Sequence, residues 1–232
     1  MWIVVGRFAQ HLLIVMMYAN LFRSVDTVLV RAGLKGSYHM VHALHTTMIV
    51  LLTATNVWSS FATFYAAYSV EPHYAAATLC YAIHYYYIAR YWHIFRLDDW
   101  LHHGLMIGVA LPLFLQLRVG TLLISNLFFT TGLPGAISYG LLFAGRNNRL
   151  VSRLAVATDV WIPAPGCMLH ATLTILLLTI APPVMTTQLM SLVVVAILTA
   201  WNGLYFMQQS IRSYAVAHAL TMEAETDQRH VE

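Results

Sequence analysis

Leu97-Asp98-Asp99-Trp100-Leu101-His102-His103-Gly104, continuing into LMIGVALPLFLQ and ending at Gln116, is the stretch on which the reading of this chain turns. Two acids and two adjacent histidines stand at the mouth of a run long enough to cross hydrocarbon. Ionisable groups are costly there, so they mark function by default. Composition supports that setting. Of 232 residues, 59% are hydrophobic and only 9% charged, where soluble domains carry about a quarter charged residues. Together with the positive mean hydropathy, this makes the chain an all-α polytopic membrane bundle.

Apolar runs of about 20 residues, the length that spans about 30 Å of hydrocarbon, fall near 2–22, 38–60, 74–91, 99–117, 121–144, 167–183 and 187–208. The first has no basic region ahead of it and no cleavage site, and reads as a retained helix. Seven alternating spans put Arg23, Arg31, Lys35, Arg90, Arg96, Arg146, Arg149, Arg153, Arg212 and Arg229 on one side and leave Arg7 and Arg118 for the other. That asymmetry is the one the positive-inside rule describes. The expected topology is N-terminus out and C-terminus in, with Asp98 to His103 near the inner surface.

The segment RNNRLVSRLAVATDVWIPAPG is too polar to cross. Leu150, Leu154 and Trp161 on one face and Arg149 with Arg153 on another suit a helix lying in the inner interface and stopped by Pro163, or a solvated linker. Pro182-Pro183 separates the last two spans, and the polar tail from Thr221 reads as mobile. The scattered arginines make no nucleic-acid patch. Cys80 and Cys167 sit in apolar runs and read as buried thiols without a disulfide. The only lysine, Lys35, lies in a loop, so no span carries a Schiff-base partner for retinal.

Asp98 or Asp99 suits a helix N-cap. Alternatively, Asp98 with His102 and Asp99 with His103 are four apart, one turn of helix, so that each carboxylate fixes the tautomer of an imidazole. Successive helical positions point about 100° apart, which sends one histidine to the bundle interior and the other to a neighbouring helix or the interface. Two hydrogen-bonded histidines without chemistry remain the plain alternative. His39, His42 and His45 share a face of the second span, and His84 lies on the third, among Tyr81, Tyr85, Tyr86, Tyr87, Tyr91 and Trp92. The histidine boxes of di-iron membrane oxygenases do not occur. Haem would need two facing ligands, such as His42 or His45 with His84, and nothing singles them out. No metal or cofactor is assigned. Pro134 interrupts the fifth span, where a freed carbonyl and a kink favour a cavity.

These residues carry a resemblance. Residues 38–208 resemble a TLC domain, the module of ceramide synthases and related membrane proteins: His42-Ala43 opens the first core helix, an aromatic helix surrounds Tyr81, Asp99-Trp-Leu-His102-His103 matches the acid turn and histidine pair, and Thr130-Thr131-Gly132-Leu133-Pro134 marks a kinked helix. The resemblance implies a leading helix and inner loop over 1–37, a six-helix core over 38–210 around a lipid-sized cavity, and a tail over 211–232. It further implies His102, His103 and Asp99 as catalytic residues, with His42, His45, His84, Tyr81 and Pro134 lining a lipid or acyl-chain site. The endoplasmic reticulum is the implied location. Two departures bear on catalysis: His84 stands where the family has an aspartate, and no charge occurs between Val119 and Ala144. The expected function is therefore lipid handling at the histidine pair, extending to acyl transfer. The alternative is a non-catalytic accessory subunit docked on other membrane subunits, for which an organellar inner membrane is the expected place.

Overall fold

The computed structural model describes residues 2–62, 74–117, 122–145, 148–180 and 186–231. Among them it is all helical: α1 (Trp2–Arg31), α2 (Ser37–Ala62), α3 (Ala75–Tyr91), α4 (Leu97–His102), α5 (Leu111–Leu117), α6 (Leu122–Leu127), α7 (Leu133–Gly145), α8 (Arg149–Trp161), α9 (Pro163–Ile180) and α10 (Thr186–Val231). The break expected at Pro182-Pro183, together with His73, Arg118, Gly120 and Arg146, lies outside the described residues. Four helical stretches are long and apolar enough to cross a membrane: Gln10–Arg31, Ser37–Ala62, Ile124–Gly145 and Leu189–Val216. Their outward faces are correspondingly apolar, with Leu13 70%, Leu51 75% and Ile197 61% exposed.

α1 runs on past residue 22, where the first span was expected to end. α1 continues past Phe22 because Asp26, only 2% exposed, has partners on α3: Tyr91 donates its hydroxyl at 3.4 Å and the Arg90 Nε lies 3.9 Å away. The helix stops at a glycine. Gly33 has φ +75°, and Gly33 N–H to Val30 O (3.0 Å) with Leu34 N–H to Leu29 O (3.1 Å) closes the two-bond C-terminal motif that left-handed glycine permits.

A core of Phe22, Ile49, Ile83, Phe114, Ile124 and Val195 joins α1, α2, α3, α5, α6 and α10. Closer contacts depend on small residues. α2 packs along α7, and a Cβ at Gly135 would stand 2.5 Å from Thr46 Cγ2. Buried hydroxyls bond to their own helix: Thr46 to His42 O (2.7 Å), Thr53 to Ile49 O (2.6 Å) and Thr174 to His170 O (2.7 Å). Hydroxyls treated this way cost little in an apolar interior.

Two helical rods widen into π geometry, at His103–Ala110 and Phe128–Gly132. Each widened stretch ends two residues before a proline, Pro112 and Pro134. Proline has no N–H to offer the carbonyl four residues back. The chain answers by shifting to five-residue bonds just ahead of it, Leu111 N–H to Met106 O and Leu133 N–H to Phe128 O.

The polar segment is a helix, not a linker. Asn148 Oδ1 caps α8 by accepting from Leu150 N–H (2.9 Å) and Val151 N–H (3.4 Å), and Leu150, Leu154 and Trp161 are exposed together. Pro163 both ends this unit and opens α9 at the first helical position, which suits its fixed φ. α8 is clamped by Asp159, whose two carboxylate oxygens accept from Ser138 Oγ of α7 (2.8 Å) and Ser210 Oγ of α10 (2.6 Å). Helix α10 continues to Val231, so the polar tail from Thr221 is helical. Beyond Gly203 the sequence holds neither glycine nor proline and is rich in Ala, Glu, Met and Gln, all good helix formers.

Two predictions follow from this packing. Gly135→Ala drives a methyl into Thr46 and should cost about 1–3 kcal/mol as overpacking, read as a lowered Tm in detergent; Gly140→Ala, with nothing within 4 Å of its would-be Cβ, should leave Tm in place. Burial holds the Asp159 carboxyl above the usual range, with Ser210 and Ser138 pulling it back. The folded chain therefore binds that proton more tightly than the unfolded chain. The resulting stability is complete below the unfolded carboxylate value and lost as pH rises through the raised one. Asp159→Asn should flatten the fall of Tm as pH is raised from about 4 toward neutrality; equal slopes in both proteins would refute the assignment.

Candidate functional site

Every described helix except α1 contributes to one cavity of about 370 Å³, within the roughly 300–1,000 Å³ of small-ligand sites. Its wall combines apolar side chains, among them Met106, Ile107, Leu111, Phe114 and Leu127, with His42, His45, His84, His102 and His103. The π stretch beginning at His103 supplies both kinds of side chain.

The carboxylate and imidazole pairs expected over one turn do not form. Arg96, not an aspartate, is the N-cap of α4. Asp99 sits in the first turn, and its Oδ2 accepts from the Arg96 backbone N–H at 3.0 Å. Asp98 Oδ2 takes Arg96 Nη2 at 3.0 Å and the Tyr205 hydroxyl at 3.0 Å, and Gln209 Nε2 donates to that hydroxyl at 3.1 Å. An arginine and the free N–H groups at the helix start draw both acids backward, away from the histidines one turn ahead. The Nδ1 atoms of His102 and His103 are buried and have no hydrogen-bond partner.

The two histidines have different ring neighbours, His102 packing on Phe206 of α10 and His103 on Tyr87 and Phe95, yet they share one space. Both line the cavity, with ring centroids 5.2 Å apart. His84 joins them from α3, its centroid 5.1 Å from His103 and 6.3 Å from His102. One ring nitrogen from each of the three lies within 4.8 Å of the others. His84 Nδ1 stands 2.7 Å from the Cys80 carbonyl and His42 Nδ1 stands 3.0 Å from the Tyr38 carbonyl. A carbonyl can only accept, so both Nδ1 atoms carry the proton and both Nε2 atoms keep a lone pair. His45 is 1% exposed, sits edge-on to Phe22, and has no hydrogen-bond partner at either nitrogen.

Of the residues expected at a site, His42, His45, His84, Asp99, His102, His103 and Pro134 all line this cavity. Tyr81 is not among the lining residues and packs half-buried against the core. Sequence reasoning missed the aromatic cage about His42, where Tyr38, Tyr139 and Tyr87 have ring centroids at 4.2, 4.9 and 5.4 Å. It also missed Asp159, Asn126 and Asn202 on the wall. The asparagines carried a usable signal, being lone amides in apolar runs; Asp159 lay in a segment read only for its amphipathic face.

The two cysteines are free and buried. Chemically, the arrangement offers neutral imidazole lone pairs, amide and phenol groups and two carboxylates in a chamber that apolar side chains also line. Set against protein-family models, curated proteins and solved structures, the chain matches none, so the reading of this site rests on its own residues.

Proposed function

We propose that this chain is a seven-span, TLC-like membrane protein that holds a lipid or acyl chain in the interhelical cavity, with the polar end of that molecule at His102 and His103. The observation that carries the reading is the mixed wall: apolar side chains of α5, α6 and the first π stretch line the same cavity as clustered imidazoles. An amphiphile matches such a wall, its tail displacing nothing polar and its headgroup meeting imidazoles that lack partners.

Seven spans fit the helix lengths. Beyond the four long apolar stretches, α3 has 17 residues and α9 has 18, about 26 and 27 Å at 1.5 Å per residue. The helical rod over 97–117 is longer still. α1 stands outside the cavity, as a leading helix before a six-helix core would. The arginine distribution favours the N-terminus out and the C-terminus on the arginine-rich face, with the endoplasmic reticulum as the membrane suggested by the TLC resemblance.

For chemistry, a neutral imidazole lone pair can take a proton from an acceptor hydroxyl or amine, or attack a thioester carbonyl, breaking the C–S bond and expelling the thiolate, which leaves as the thiol; the acceptor's oxygen or nitrogen then displaces the imidazole from the acyl group and gives up its proton. No carboxylate orients His102 or His103 from the next turn. That absence favours binding over turnover, and it is what a second reading, a non-catalytic accessory subunit with a lipid in its cavity, draws upon.

Mass spectrometry of lipids retained by the purified chain tests the proposal. Wild type should carry an acyl lipid. Filling the aliphatic wall with Ile107→Trp should expel it, and His102→Ala or His103→Ala should weaken retention by up to about tenfold, the worth of a hydrogen bond of roughly 1 kcal/mol or slightly more. Unchanged lipid content in all three variants, at normal protein levels, would overturn the reading.

A further inference from the structure

The cavity wall has more imidazoles than hydrogen bonds to satisfy them. His84 is held by its Nδ1–H on the Cys80 carbonyl, 2.7 Å away, which fixes the tautomer and leaves Nε2 as a lone-pair donor. This is the outer contact that orients metal-bound histidines, a backbone carbonyl taking the proton of the nitrogen that does not coordinate. His102 closes α4 and His103 opens the π stretch, both with an unpartnered buried Nδ1. The three converge until one nitrogen of each is within 4.8 Å of the others.

Each neutral imidazole keeps one lone pair, and with the Nδ1 atoms of His102 and His103 unpartnered the cluster holds buried nitrogens that each cost about 1–3 kcal/mol when left unsatisfied. A single cation satisfies all three. From this we infer that His84, His102 and His103 form a binding site for a divalent first-row transition ion, with zinc the best match, and that its remaining coordination position faces the cavity.

Ligand chemistry selects the ion. Imidazole suits zinc, copper, nickel and iron and is poor for magnesium or calcium. Tetrahedral zinc at 2.0–2.1 Å from each nitrogen needs nitrogens about 3.4 Å apart. Three protein nitrogens with one position left over is the pattern of a zinc that takes a ligand oxygen. The positive charge is not stranded either, since Asp99 and Asp159 also line the cavity. The class of molecule that would complete the shell is an oxygen donor small enough for the chamber: water, a carboxylate or a carbonyl. The site does not depend on the lipid reading, and His84, which that reading places only on the wall, is central to it.

The test uses the full chain purified in detergent on a tag without histidine, loaded with zinc, passed through gel filtration and analysed for metal. Wild type should retain roughly one ion per chain, as a single three-histidine site requires, and cobalt(II) in its place should show the visible bands of a tetrahedral centre. His84→Ala and His103→Ala should each lose the ion. His84→Cys should keep it, because thiolate also binds zinc, and should add a sulfur-to-cobalt charge-transfer band. The exposed His93→Ala should match wild type. A monodisperse wild-type chain without zinc, or zinc that persists in His84→Ala, overturns the site. Because His84→Cys must bind metal in order to pass, misfolding of the alanine variants cannot imitate success. Zinc retained alongside a lipid content insensitive to Ile107→Trp, His102→Ala and His103→Ala would overturn the lipid reading alone; the reverse outcome would overturn only the metal.

Discussion

In an apolar interior a polar group either finds a partner within the protein or carries its desolvation unpaid, and most of this structure follows from that requirement. The backbone answers with helices. Threonine and serine hydroxyls answer by bonding to the carbonyl one turn back, as Thr46, Thr53 and Thr174 do. Charges answer by pairing between helices: Asp26 on α1 with Arg90 and Tyr91, and Asp159 on α8 with Ser138 and Ser210. The matching is incomplete: Asp26 Oδ1, the Tyr86 hydroxyl and both His170 nitrogens are buried without a partner away from the cavity, and so are atoms of His45, His102, His103 and Asn202 on its wall. The second group borders a ligand-sized space, where a bound molecule can supply what the protein does not.

Proline places that space. Pro112 and Pro134 lie on rods that both contribute to the cavity wall, and ahead of each the helix changes to five-residue bonding. A wide turn rotates everything beyond it relative to a regular helix. In the first rod this happens at His103, so His102 and His103 need not obey the angular separation of neighbouring α-helical residues. The residue that removes a hydrogen bond is thus linked, through the backbone's compensation, to the convergence of two imidazoles on one chamber.

The sequence made much of the helical architecture legible because hydrophobic runs are long-range, additive signals. The candidates His42, His45, His84, Asp99, His102, His103 and Pro134 do line one cavity, but Tyr81 does not, and the hydrogen-bond partners were less legible. The errors have specific causes. Asp98 and Asp99 were read with the histidines that follow them, when Arg96, immediately before, competed for the same carboxylates and won through charge and helix-end N–H groups. The tail was read from polarity, but helix propensity does not require apolar side chains, and α10 continued. Tyr81 was grouped with its aromatic neighbours although only some positions of a helix can face one side. The packing of Tyr38, Tyr87 and Tyr139 around His42 joins three helices and leaves no periodic trace in any one of them.

Position 84 shows how much one side chain decides. An aspartate there, as the TLC resemblance implies, would lend negative charge to the imidazoles and favour a protonated or nucleophilic histidine. A histidine anchored on the Cys80 carbonyl instead contributes a third neutral lone pair. Two imidazoles and a carboxylate manage a proton, whereas three imidazoles without an intervening proton have no such role for the third. A cation is the one ligand that satisfies all three lone pairs at once. Histidine at position 84 therefore suits a cation better than a proton relay, and the fold that holds the cavity is indifferent to which of the two it serves.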